Sequence, residues 1–100
     1  MIKNIATETE FDAATSSGVQ LVDFWAVWCG PCKMMGAVID AKIVPARPDL
    51  DVIKVDVDSC PQLAARFGVQ SIPTLLVMQD GAVKEKFIGV TPPETILAAL

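Results

Sequence analysis

The chain has 100 residues, 52% of them hydrophobic, and its 12 acidic and 8 basic residues give a formal net charge of −4. This length and apolar content predict a single globular domain, residues 1–100, and exclude an intrinsically disordered chain. The acidic balance argues against nucleic acid or anionic lipid as a partner.

The first two predicted elements are a strand and a helix. Ile2 to Ile5 has the composition of a short edge strand. Glu8 to Ser17 reads as a helix in which Thr7 is the N-cap and Glu10 is its capping-box partner. Gly18 is the residue expected to end this helix.

The middle of the chain predicts two strands separated by a helix. Val19 to Ala26 is an apolar run typical of a strand. From Cys32 a helix is predicted as far as Lys42, before the prolines that follow it. Asp51 to Val57 is predicted to be a buried strand that contains one lysine, Lys54.

A short helix is predicted next, from Pro61 to Phe67. Asp58 or Ser59 is positioned to cap its beginning, and Gly68 to close its end.

The last third of the chain predicts a hairpin and a final helix. Thr74 to Met78 and Val83 to Ile88 are strand-like runs joined at Asp80-Gly81, a strong turn signal. Pro93 to Leu100 is predicted to be a helix capped by Thr91. The element order βαβαβαββα therefore predicts an α/β fold. We expect three parallel strands, a C-terminal antiparallel hairpin and helices on both faces of the sheet.

Two cysteines, Cys29 and Cys32, lie where the second strand gives way to a helix. Residues three apart in a first helical turn bring their β-carbons close enough for a disulfide. The unpaired N–H groups and the helix dipole favour a thiolate on the earlier cysteine, and Pro31 suits this turn because its missing N–H would have no partner. The segment predicts a redox site with Cys29 as nucleophile and Cys32 as resolving thiol; two inert thiols or a metal-site remnant are the alternatives.

The numbers of cysteines and histidines limit the kinds of catalytic and metal site that the chain can form. The chain has three cysteines and no histidine, so a structural zinc site and the Ser-His and Cys-His nucleophile pairs lack residues. An odd cysteine count without a visible signal peptide argues against a structural disulfide framework. No apolar run approaches membrane-spanning length. We therefore expect a soluble, cytoplasmic monomer without a bound metal, whose chemistry rests on thiols and carboxylates.

The run Val-Asp-Phe-Trp-Ala at 22–26, followed by Trp-Cys-Gly-Pro-Cys-Lys at 28–33, resembles the thioredoxin family. The resemblance covers nearly the whole chain. It implies the thioredoxin fold, with a mixed five-stranded sheet, and a general protein-disulfide reductase that binds no cofactor. It also implies disulfide-containing proteins as substrates, and a separate flavoprotein, thioredoxin reductase, that supplies electrons from NADPH.

Asp23 is a carboxylate within the apolar strand that leads into the cysteines. Burial raises a carboxyl pKa, which makes Asp23 a candidate proton acceptor for Cys32. The resemblance places the matching aspartate beneath the cysteines, with Lys54 on the next strand as its charge neighbour. The alternative is an Asp23–Lys54 pair with a structural role alone.

The resemblance also assigns the surface around the cysteines. It places Trp28 over them at the surface and Trp25 below them as support. Ile72 and Pro73 resemble the family's cis-proline loop, which pairs with an extended substrate segment; ordinary entry into a strand is the alternative, since cis X–Pro bonds are a minority. The resemblance completes this substrate-binding surface with Gly30, Pro31, Gly89 and Val90.

The sequence departs from the family pattern in three ways. Val27 makes the rim of the site more apolar. Gly36-Ala37 replaces the usual kinking proline, and we still expect a bend near Gly36, because the surrounding segments match the family. Cys60 is an additional cysteine, which we interpret as a small buried residue, with a secondary redox role as the alternative.

Two other classes of function fit less well. Glutaredoxins and disulfide isomerases typically carry aromatic residues or histidine between their cysteines, whereas this chain has Gly30-Pro31. A binding module that uses the fold as a scaffold would not require Cys29, Cys32 and Asp23 together.

Overall fold

The computed structural model describes all residues, 1–100, and its nine regular helices and strands lie in the predicted order. The strands are β1 (Ile2–Ile5), β2 (Val19–Trp25), β3 (Asp51–Asp56), β4 (Thr74–Gln79) and β5 (Ala82–Ile88). The α-helices are α1 (Glu8–Thr15), α2 (Gly30–Val38), α3 (Pro61–Arg66) and α4 (Pro93–Ala99), and a π-helical turn, Ile39–Ile43, continues α2.

The strands form one mixed five-stranded sheet in the order β1-β3-β2-β4-β5. β1 and β2 both pair with β3 in parallel, while β4 pairs antiparallel with β2 and with β5. The predicted α/β architecture, with an edge strand first and an antiparallel hairpin last, is confirmed. The hairpin turns at Asp80 and Gly81, whose φ angles of 50° and 83° are those of the tight turns that join twisted strands.

Alternating side chains of the central strands build two cores, one on each face of the sheet. One face packs against α1 and α3, through strand residues such as Val22 and Phe24 with Phe11 and Leu63. The other face packs against α2, the π-helical turn and α4; its buried members are Leu21, Met35, Ile39, Ile43, Leu50, Val52, Leu75, Val77 and Ile96. Asp23 alternates with Val22 and Phe24, so it lies on this second face, beneath α2.

Local side-chain bonds explain the limits of α1. The Thr7 hydroxyl accepts from the Glu10 N–H at 3.1 Å and donates to the Glu10 carboxylate, which confirms Thr7 as the N-cap. The helix ends at Thr15 and not at Ser17. Thr15 Oγ1 donates to Phe11 O, and Ser16 Oγ donates to Ala13 O, so the hydroxyls compete for carbonyls of the last turn.

Two predicted caps are wrong. α3 has Cys60 as its N-cap, without a side-chain hydrogen bond, because the Asp58 carboxylate accepts instead from the indole of Trp28. α4 has Pro92 as its N-cap, because the Thr91 hydroxyl donates to Gly89 O. In each case a tertiary or turn contact takes the side chain that a local pattern assigns to the helix.

The helix after the cysteines also differs from the prediction. It begins at Gly30, two residues before the expected Cys32, and remains α-helical through Gly36 and Ala37. The departure from α-helical hydrogen bonding comes in the next turn, where the Val44 N–H donates to Ile39 O at 3.0 Å in the π-helical pattern. The irregular hydrogen bonding therefore lies one turn beyond Gly36, and the bend expected near Gly36 stays a prediction.

Candidate functional site

Cys29 is the N-cap of α2, at the end of the sheet where β2 stops. Its backbone is extended, with φ −92° and ψ 108°, and its Sγ accepts from the Cys32 N–H at 3.2 Å. The sulfur thus occupies the position that a capping oxygen usually takes. Gly30 and Pro31 form the first turn, where the missing N–H of proline leaves no bond unmade. The unpaired N–H groups and the dipole at the N-terminus of α2 therefore stabilise a negative charge on Cys29 Sγ.

Cys29 and Cys32 form a disulfide, with their Cα atoms 5.2 Å apart, within the usual range for this bond. Both cysteines are nearly buried, at 5% and 3% exposure, and they pack with Ala26. Their surroundings differ. Cys29 Sγ lies 3.8 Å from the backbone oxygen of Ile72, whereas Cys32 lines a cavity whose floor is Asp23.

The loop facing Cys29 contains a cis peptide bond between Ile72 and Pro73. The Ile72 N–H donates no hydrogen bond to another part of the chain. Pro73 O accepts from the Gly89 N–H at 2.8 Å, which joins this loop to the segment after β5. Gly89 has φ 85°, a conformation that disfavours a side chain, and Val90 beside it is exposed.

The two tryptophans near the cysteine turn differ in exposure and in contacts. Trp28 is 69% exposed, and its indole N–H donates to Asp58 at 2.8 Å. Trp25 is half-buried and packs against the cluster that contains both cysteines; its indole N–H is buried without a partner. The structure therefore places Trp28 at the surface and packs Trp25, half-buried, against the cysteine cluster.

Asp23 is 1% exposed, and its Oδ1 has no hydrogen-bond partner. It lies directly beside Lys54, its register neighbour on β3. Burial raises the pKa of Asp23 from 3.8 to about 6, because the ionised form loses its hydration; the Lys54 charge opposes the rise and the Asp40 charge adds to it. A carboxyl with this pKa exchanges protons near neutral pH.

Three residues near the site were missed at the sequence level. Asp58, which holds Trp28, follows β3 at the same edge of the sheet as Cys29. That edge, where the parallel strands end, is a signal that could have identified it. Gly36 and Asp40 line the same cavity as Asp23 and Lys54. No local pattern distinguishes these two from ordinary helix residues.

Two other kinds of site receive no support from the side-chain arrangement. No group of three or more His, Cys, Asp or Glu side chains is placed to hold a metal ion. None of the helices combines the length and apolar character needed to cross a membrane.

Reduction of the disulfide gives a Cys29 thiolate at the N-terminus of α2, which stabilises the negative charge. The disulfide is therefore suited to repeated formation and reduction. This chemistry on a mixed five-stranded sheet defines a thiol–disulfide oxidoreductase. A family model described as Thioredoxin matches residues 3–100. The chain belongs to the thioredoxin family.

Relatives and solved structures agree with this assignment. Thioredoxins from several Staphylococcus aureus strains are 46% identical over 94 residues, which cover 94% of this chain and 90% of theirs. Mitochondrial thioredoxin 3 of Saccharomyces cerevisiae, in its oxidised form, is 35% identical with a TM-score of 0.88, and 97% of this chain and 91% of that chain are covered. For the thioredoxin of Malassezia sympodialis the identity is 35%, the TM-score 0.87 and the coverage 98% and 89%.

Proposed function

We propose that this chain, acting as a single monomeric domain, reduces disulfides of other proteins. The Cys29 thiolate attacks one sulfur of the substrate disulfide, which forms a mixed disulfide and releases the first substrate thiolate. The Cys32 thiolate then attacks Cys29 Sγ and releases the second. Two electrons pass to the substrate, and the Cys29–Cys32 disulfide remains.

The observation that carries this proposal is the position of Cys29. Its Sγ lies at the N-terminus of α2 and 3.8 Å from Ile72 O. The N–H of the same residue, Ile72, has no partner in the chain, so an extended substrate segment has a backbone group to pair with. Gly30, Pro31, Trp28, Pro73, Gly89 and Val90 are the remaining residues that we assign to substrate binding.

Asp23 and Lys54 support the second step. Cys32 must lose its proton before it attacks Cys29 Sγ, and Cys32 and Asp23 line one cavity. With its pKa raised to about 6, Asp23 is mostly ionised at neutral pH and still basic enough to accept that proton. Lys54 keeps the carboxylate form accessible, because its charge lowers the pKa of Asp23.

We further propose that a separate flavoprotein, thioredoxin reductase, returns electrons from NADPH to the Cys29–Cys32 disulfide, and that the protein works in the cytoplasm. No bound cofactor takes part in either sulfur exchange. Thiol–disulfide exchange needs only the two sulfurs, a proton acceptor and an external source of electrons.

Reduction of insulin disulfides tests the proposal. With dithiothreitol as reductant, catalytic amounts of the protein are expected to accelerate insulin precipitation. With NADPH as reductant, turnover is expected with thioredoxin reductase and not with glutathione and glutathione reductase. Turnover with glutathione alone would assign the protein to the glutaredoxin type, and no reduction of insulin in either assay would favour a binding module.

Cys60→Ser is expected to leave dithiothreitol-coupled turnover unchanged. Cys60 is 2% exposed and packs in the core beneath α1 and α3, a different cluster from the one that contains the disulfide. The serine hydroxyl replaces a weakly polar thiol in this apolar site, so we expect stability to fall by about 1 kcal/mol. Urea unfolding and the insulin assay measure the two effects. A marked loss of turnover would contradict the inert interpretation, as would a disulfide-linked dimer that forms in the oxidised parent protein but not in the variant.

A further inference from the structure

A cavity of about 550 Å³ lies behind the disulfide, between α2 and the β1–β3 edge of the sheet. Asp23 forms its buried floor, and Oδ1 of this carboxylate has no partner. Cys32 and Lys33 line the side formed by α2, and Asn4 lines the side formed by β1. The resolving cysteine and its proton acceptor therefore share one space with several polar and charged groups.

The sheet register brings the ammonium group of Lys54 into this cavity. Lys54 is paired with Asn4 on one side and with Asp23 on the other, so the three side chains form a polar row beneath α2. Lys54 makes no ion pair within 4.0 Å with any carboxylate of the chain. Its position is therefore set by the space available and by charges at longer range.

That space exists because residue 36, a glycine, carries no long side chain. A β-carbon placed on Gly36 would lie 3.5 Å from Lys54 Nζ, in ordinary van der Waals contact. A single methyl group therefore fits, whereas a longer side chain would occupy the place of the ammonium group. Gly36 has a negative φ within α2, so its backbone conformation does not require glycine.

The residue one turn later supplies a charge. Asp40 follows Gly36 by four positions, lies at the start of the π-helical turn and lines the same cavity. It is exposed to solvent and too far from Lys54 for an ion pair. The ammonium group thus lies in the field of two carboxylates, the buried Asp23 and the exposed Asp40.

We propose that Gly36 and Asp40 are positioning residues, which together hold the Lys54 ammonium group beneath α2 and so set the pH at which Asp23 can accept the proton of Cys32. Gly36 acts by leaving room, and Asp40 by drawing the ammonium group partly away from Asp23. The proposal rests on the role assigned to Asp23 in the proposed function.

The charged groups around Asp23 fix the expected signs. Lys54 lowers the pKa of Asp23, while burial and the Asp40 charge raise it. Lys33 on α2 also lines the cavity but is not among the charges that move this pKa. The neutral polar side chains that line the same cavity as the carboxylate are Asn4 on β1 and Trp25 on β2.

Gly36→Leu tests the role of space. The leucine side chain displaces the ammonium group and further dries the cavity, so the pKa of Asp23 is expected to rise by about 1 pH unit. Gly36→Ala is the matched control, because its methyl group fits beside Lys54; the pKa should remain that of the parent. Carbon-13 NMR titration of the Asp23 carboxyl measures this pKa directly and does not depend on any enzymatic activity.

Asp40→Asn tests the role of charge. Removing this charge ends its repulsion of Asp23 and frees the ammonium group to turn toward Asp23, so the pKa of Asp23 should fall by about 0.3 pH unit. Glu85→Gln, a charge-removing change on exposed β5 outside the cavity, is the control and should leave the pKa unchanged. An unchanged pKa in both Asp40→Asn and Gly36→Leu would overturn the proposal.

A Lys54→Met background separates positioning of the ammonium group from drying of the cavity. Gly36→Leu and Asp40→Asn both act partly through Lys54. The change that each causes in the pKa of Asp23 should therefore shrink by at least about half when Lys54 is absent. Changes of equal size in the two backgrounds would show that Gly36 and Asp40 act without Lys54, and would overturn the proposal. If the pKa changes appear as expected while insulin is not reduced, the failure lies in the proposed function and not in the positioning of Lys54.

Discussion

Cys32→Ser is expected to stop turnover and to leave substrate proteins covalently attached to Cys29. Without the resolving thiol, the mixed disulfide formed in the first step cannot be attacked from within the chain. We expect insulin reduction to fall more than about 100-fold. Non-reducing gel electrophoresis should show a band at the combined mass of the protein and its substrate, and this band should disappear on addition of dithiothreitol.

The environment of each cysteine explains why Cys29 and not Cys32 should be trapped. Cys29 Sγ lies at the helix N-terminus, where the Cys32 N–H stabilises a thiolate. It also lies beside Ile72, in the loop that we propose binds substrate. Cys32 lies within the first turn and faces the cavity above Asp23. For Cys32 to attack a substrate disulfide, a bulky substrate would have to enter the cavity between α2 and the sheet.

Cys29→Ser is the matched control, since it should abolish turnover without forming any trapped complex. Brief labelling of the reduced parent protein with iodoacetamide near neutral pH, followed by mass mapping, gives an independent measurement. Cys29 should be modified first. A trapped complex in Cys29→Ser, or faster labelling of Cys32, would reverse the two roles.

The elements and the cysteine turn could be predicted because their signals are local. The strand before Cys29, the proline in the first turn and the Asp80-Gly81 hairpin each depend on a few consecutive residues. Asp23 was also identifiable, as the one charged residue of the strand before the cysteines, and the resemblance to the thioredoxin family indicated Lys54 as its neighbour. The structure adds the register that makes them neighbours and the burial that raises the pKa of Asp23.

The errors occur where a distant contact decides the outcome. Asp58 is a plausible helix cap by sequence, yet it accepts from Trp28, which lies 30 positions earlier. The limits of α2 depend on Cys29 acting as the cap and on the change to π-helical bonding at Ile39–Ile43, which no sequence pattern that we used detects. The space that Gly36 leaves for Lys54 exists only after α2 packs on the sheet.

Asp23→Asn should make the protein more stable at neutral pH and slower in resolving the mixed disulfide. At pH 7 the parent protein buries a carboxylate whose Oδ1 has no hydrogen-bond partner, and the neutral amide removes that charge. The amide cannot accept the proton of Cys32, so the rate of the second step should fall by about 10-fold or more. A trade between stability and activity at one buried residue is therefore expected.

The stability gain should depend on pH with a defined sign. The pKa of Asp23 is raised from 3.8 to about 6 in the folded protein, so the folded state binds the proton more tightly than the unfolded state does. Well below pH 3.8 the carboxyl is neutral in both states and costs no charge burial. Between about pH 4 and pH 6 the unfolded state ionises first, and the stability of the parent falls as the pH rises.

The size of this effect follows from the same values. A rise in pKa from 3.8 to about 6 corresponds to about 3 kcal/mol of stability lost by pH 7. The asparagine of the variant still buries a polar amide without an assured partner, so we expect a net gain of about 2 kcal/mol at pH 7.

Urea unfolding of parent and variant at several pH values between 4 and 7.5 measures the difference in stability. It should be smallest at pH 4, rise mainly between pH 4 and pH 6 and level off by pH 7, because only the parent carries the titrating group. A difference that stays constant across this range would show that burial does not raise the pKa of Asp23. A variant of lower stability with an unchanged resolution rate would leave Asp23 a structural residue alone.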